Sequence, residues 1–199
     1  MPDSGIADGA TFSSAFWDSY VREQVCVTCT SSTRPTNVEG RLIYETNTDR
    51  LLLGTGSGSN WITLAEPPQS WTPSVSGLTV GSGTWTAYTK RSDGFVDAWG
   101  TFTFGSGSGV TGGLVVTVPY TMPSGAQVLG RATFTDAAPA ADYDGSVGVW
   151  TTTSIVLSPL VASGTYLSRG TTSSSVPHTW ASGDSLKFMA RFPLANRYD

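Results

Sequence analysis

The chain has 199 residues, a net charge of −4 and charged side chains at only 13% of positions. With two lysines and no basic cluster, it carries no electrostatic footprint for nucleic acid and none for an anionic membrane surface. Gly, Ser and Thr fill 77 positions, yet 39% hydrophobic residues and seven Trp exclude a disordered chain and suit exposed β-sheet. The length allows one sizeable core and a smaller appended element.

Residues 1–9 show neither a basic n-region nor an apolar h-region, so no secretory signal is expected. No run approaches the roughly 18 apolar residues of a membrane span. Synthesis in a cytoplasm is expected, with any exterior role reached by assembly or lysis. The first predicted element is a helix over residues 13–25, within an N-terminal segment 1–30. Thr11, Ser13 and Ser14 are candidate caps. Phe12, Phe16 and Tyr20 recur at i, i+4 and i+8, with Trp17 and Val21 beside them, giving one apolar stripe. That stripe must be buried, either on the chain's own β-domain or in a three-helix bundle about a symmetry axis. Cys26-Val27-Thr28-Cys29 follows. It offers two of the four ligands of a structural zinc site, and the helix precedes it where a thioredoxin-type motif has the helix following. Inert packing cysteines are the favoured reading, with a disulfide or a shared metal as alternatives.

Residues 31–66 read as a small β-hairpin unit. Leu42-Ile43-Tyr44, the corner Thr46-Asn47-Thr48-Asp49, Leu51-Leu52-Leu53, a Gly/Ser tip and Trp61-Ile62 make two or three short strands, packed through Tyr44, Leu52 and Trp61. So short a unit needs a neighbour or another copy of itself. Residues 67–70 form a Pro-rich linker. From 71 to 199 strand signals recur at close spacing. Leu114, Val116 and Val118 alternate, as do Val128, Ala132 and Phe134, and Leu186, Phe188, Ala190 and Phe192. Eight or nine short antiparallel strands predict a β-sandwich, jelly-roll-like. The fold class is therefore mainly β.

The order Arg34-Pro35, then Gly40-x-x-x-Tyr44-Glu45-Thr46-Asn47-Thr48-Asp49-x-Leu51, then Trp61 resembles the small β-unit of tailed-bacteriophage fibre and minor tail proteins. Residues 16–24, Phe-Trp-Asp-Ser-Tyr-Val-Arg-Glu-Gln, are similar to an N-terminal helix of phage virion proteins with the pattern Trp-Asn-x-x-Val-Arg-Asp; Asp18 and Glu23 depart from it. Trp71-Thr72-Pro73 and Arg191-Phe192-Pro193 resemble the start and end of the terminal β-sandwich of phage fibres. The resemblance implies a non-enzymatic structural virion protein without cofactor, made in the host cytoplasm; low Lys with high Ala, Gly, Thr and Arg points to a GC-rich genome and an actinobacterial phage. The protein would be a homotrimeric, fibre-like minor tail protein or short tail fibre, with Phe12, Phe16, Trp17, Tyr20 and Val21 at the trimer interface. Its partners would be further copies, other virion proteins and a host cell-surface glycan. A capsid head fibre or decoration protein is the alternative; a fibre-borne glycan depolymerase or a free carbohydrate-binding module competes less well.

Candidate chemistry is thin. His178 is the one histidine, and no Gly-x-Ser-x-Gly turn supplies a nucleophile for it. Gly107-x-Gly109-x-x-Gly112 matches a dinucleotide fingerprint in letters, but the apolar run 114–118 that follows is a strand, and pyrophosphate needs a helix N-terminus. Asp136, Asp142 and Asp144, with Gly145, could ligate calcium, although a solvated turn is the simpler expectation. Most Trp in such a fold are core, leaving one or two as exposed ligand platforms.

Overall fold

The computed structural model describes residues 26–196. They divide between two units, one ending at Leu64 and the other starting at Ala65. Every regular element among them is a strand. The expected helix over 13–25, and the threefold contact assigned to Phe12, Phe16, Trp17, Tyr20 and Val21, fall outside the described residues.

The small unit is a four-stranded sheet in the order β1 (Val27–Cys29), β2 (Leu42–Glu45), β3 (Arg50–Gly54), β4 (Trp61–Ala65). β2 and β3 form the expected antiparallel hairpin. β1 adds to it in parallel, with Val27 opposite Ile43, so the unit begins before residue 31. Three residues were too few to read as a strand, and only the β2 edge gives them a partner.

Successive side chains on a strand face opposite sides, which places Ile43 inside with Leu52 and Trp61, all buried, against Val27 and Cys29. Tyr44, expected among the packing residues, is therefore on the other face. It is 38% exposed, and its hydroxyl donates to Asp49 at 2.7 Å, which raises the phenol pKa.

Side chains of the 34–60 stretch latch this unit, Arg34, Glu45 and Thr48 of the resemblance among them. Buried Glu45 accepts from the Arg34 guanidinium and, at 2.6 Å, from the Thr48 hydroxyl. The Asn37 amide donates to the Asn60 carbonyl at 2.7 Å and accepts from the Gly56 N–H at 3.1 Å. A Cβ on Gly54 would lie 2.2 Å from the Val38 carbonyl oxygen, so only glycine lets the two segments cross.

The large unit contains β5 (Gln69–Trp71), β6 (Val75–Thr79), β7 (Thr84–Ser92), β8 (Phe95–Thr103), β9 (Gly109–Thr117), β10 (Leu129–Asp136), β11 (Ala141–Thr151), β12 (Ser154–Ser163), β13 (Tyr166–Arg169) and β14 (Ser185–Pro193). They form one hydrogen-bonded path, β5-β7-β8-β14-β10-β11-β12-β9-β6, with β13 on β12, and the pairings are antiparallel. The sheet curls so that inward residues from both halves share one core. Phe102, Leu114, Val116, Phe134, Leu186 and Phe192 all belong to it. The inner faces oppose each other as in a sandwich, but no break in hydrogen bonding divides the path into two separate sheets. Asp93 and Gly94, at φ 44° and 80°, make the two-residue turn between β7 and β8 that their sequence favours.

The linker expected at 67–70 is shorter than its composition suggested. Pro67-Pro68 stands just ahead of β5, an edge strand paired with β7, a placement proline tolerates. Glu66 already belongs to the large unit. Its buried carboxylate accepts from the Arg91 backbone N–H at 3.0 Å, from Nε at 3.1 Å and from Nη2 at 3.0 Å.

Candidate functional site

A bulge in the large unit builds the most exposed tryptophan among the described residues. The β11–β12 register shifts between Val149 and Thr151, leaving Trp150 as the extra residue. Bulges bend a strand and re-aim a side chain. The Trp150 ring is 64% exposed. It borders a groove of about 410 Å³ lined also by Ser76, Gly113, Val115, Val156, Ser158 and Thr171. Thr172 fixes the crossing segment there: its hydroxyl accepts from the Leu114 N–H at 2.9 Å and donates to the Gly112 carbonyl at 3.0 Å. Among the described residues no charged side chain lines the groove, although the Arg169 guanidinium stands close by, over Gly148 next to Val156. An aromatic face with hydroxyls around it can hold a ligand that has both an apolar face and hydroxyls. Without an acid, a base or an activated nucleophile, the lining supplies no group for general acid–base or covalent catalysis. Of the other Trp residues described, Trp61 is buried and Trp71, Trp85, Trp99 and Trp180 are half-buried. The bulge had no signal in the sequence.

The second cluster surrounds His178. Its ring stacks on Tyr143 at 5.3 Å and 14°, and lies 4.3 Å from the Trp180 ring. Nδ1 faces Asp136 Oδ2 and Asp184 Oδ2, each at 3.7 Å, and the Thr179 carbonyl at 3.3 Å. Asp184 is 1% exposed. Its Oδ1 accepts from the Ala137 N–H at 2.9 Å and its Oδ2 from the Ala181 N–H at 2.6 Å. His178 Nε2 is buried without a hydrogen-bond partner. Among the described residues no serine hydroxyl bonds to this histidine, so the cluster is not a nucleophile triad.

The structure separates the three carboxylates that looked like one loop. Asp142 and Asp144 lie on β11, exposed on one face. Asp142 accepts from the Thr135 hydroxyl at 2.6 Å, and Asp144 pairs with Arg131, whose pKa it raises through that hydrogen bond. Asp136 instead joins His178 and Asp184. Asp184 stands in the turn just before β14, where its side chain caps the Ala181 and Ala137 N–H groups.

In the small unit Cys26 and Cys29 are free thiols. Burial, and then the Glu45 charge, push the Cys29 thiol up, so little thiolate exists at neutral pH. Gly109 opens strand β9, so the glycine fingerprint leads into a sheet rather than a helix. Comparisons with protein-family models, curated proteins and solved structures find no match to this chain.

Proposed function

We propose that this chain is a structural virion protein of a tailed bacteriophage, a fibre-like minor tail protein whose large unit holds a host-surface glycan in the Trp150 groove. The carrying observation is the bulge at Trp150, which sets a 64% exposed indole beside an uncharged groove rimmed by hydroxyls. A sugar presents its C–H face to an indole and its hydroxyls to Ser76, Ser158 and Thr171. The residue order from Arg34 to Trp61, which resembles the small β-unit of phage fibre and minor tail proteins, supports the virion assignment.

Two measurements test this. Trp150→Ala is expected to weaken binding of the full chain to host cell-wall polysaccharide by about tenfold or more, with its melting curve unchanged because the ring is in solvent. Equal binding by the variant would remove the groove from the reading. Immunogold labelling of virions is expected to mark the tail. Label confined to capsids would favour the head-fibre or decoration role, and unlabelled particles would end the virion assignment.

A further inference from the structure

We propose that Asp136, His178 and Asp184 form a three-ligand site for one divalent transition-metal ion of the zinc class, with water in the fourth position, separate from the glycan groove. The three residues come from the end of β10 and from the segment leading into β14. One ligand atom from each lies within 4.8 Å of the others. An ion bound at about 2.0–2.2 Å to its ligands holds them roughly 3.3–3.5 Å apart in tetrahedral geometry. The two 3.7 Å separations from His178 Nδ1 therefore need only a small contraction.

Charge points the same way. The Asp184 side chain is 1% exposed and that of Asp136 17%, and among the described residues neither forms an ion pair with Lys or Arg. Arg131, the guanidinium nearest in sequence to Asp136, is committed to Asp144. A neutral imidazole leaves this pair at −2, which a divalent cation balances; an imidazolium balances half of it.

Burial supplies the second, independent observation. The His178 side chain is 4% exposed, and Nδ1, the nitrogen turned toward the carboxylates, has no polar contact shorter than the 3.3 Å approach to the Thr179 carbonyl; with Nδ1 on the ion, Nε2 carries the proton and is a buried N–H without an acceptor. Stacking on Tyr143, rather than a short hydrogen bond, holds the ring edge toward the carboxylates. The Ala137 and Ala181 N–H groups orient Asp184 as outer-shell partners orient a ligand, and each of its oxygens retains a lone pair. The imidazole nitrogen selects Zn²⁺ over Ca²⁺ or Mg²⁺, which prefer all-oxygen shells. A bound ion would tie the segment before β14 to the β10–β11 turn.

The experiment uses the full chain, stripped with chelator and titrated with Zn²⁺, or with Co²⁺ as a spectroscopic probe. One equivalent per chain and a higher melting temperature are expected, with a Co²⁺ spectrum of N/O ligation lacking thiolate charge transfer. Asp136→Asn and His178→Gln should each abolish the Zn²⁺-dependent rise. The double variant Cys26→Ser, Cys29→Ser should keep it. No ion bound at micromolar free Zn²⁺, a thiolate spectrum, or an undiminished rise in Asp136→Asn would overturn the site. The wild-type spectrum decides even if a variant fails to fold, and none of these outcomes depends on glycan binding.

Discussion

Replacing Glu66 by Ala is expected to destabilise the large unit by about 3–5 kcal/mol, the range for stranding one partner of a buried ion pair. The Glu66 side chain is fully buried and that of Arg91 is 10% exposed. The carboxylate takes three N–H donors from Arg91, two from the guanidinium and one from the backbone. Its removal takes from a largely buried guanidinium and a backbone amide the carboxylate acceptor they share. The Tyr120 ring, 5.5 Å from the guanidinium carbon, offsets only part of this. Calorimetry should show the large unit melting roughly 10–20 °C lower. Glu66→Gln keeps an acceptor for the backbone amide and should lose less. A drop of only a degree or two in Glu66→Ala would mean that Arg91 finds other partners as good.

The second large effect belongs to Trp61→Ala. Among the described residues of the small unit three hydrophobic side chains are buried, Ile43, Leu52 and Trp61. Truncating a buried Trp costs about 3–5 kcal/mol, which is comparable to everything a four-stranded sheet of this size can hold in reserve. The unit should therefore unfold as a whole rather than soften locally. Hydrogen exchange is the direct readout: amides of β2 and β3 should lose protection together, while those of β8 and β14 keep theirs. Persistent protection in β2 and β3 would show that the Arg34–Glu45 and Asn37 latches hold the unit without its core.

Much of the core was legible because burial on a strand alternates locally. Leu114 and Val116, and the run Leu186, Phe188, Ala190, Phe192, declare their inward face before any partner strand is known. The same rule corrects the one misplaced packing residue. Ile43 and Tyr44 are adjacent, one of them must face out, and the register with Leu52 and Leu51 decides which. The candidate sites were less legible. Trp150 reads like any other tryptophan until the mismatch between β11 and β12 turns it outward. Asp136 sits close in sequence to Asp142 and Asp144, but a β-strand carries those two away along its exposed face.

By itself, then, the sequence determined a mainly β chain with a small unit ahead of a large one, and a poverty of charged side chains. These are properties of composition and of period-two patterning, which act within a few residues. Only the tertiary structure decided that the large unit is one curled path, that Trp150 faces solvent, and that Asp136, His178 and Asp184 meet. Each depends on register and on closure between distant segments, where a shift of one residue reverses which side chains face inward.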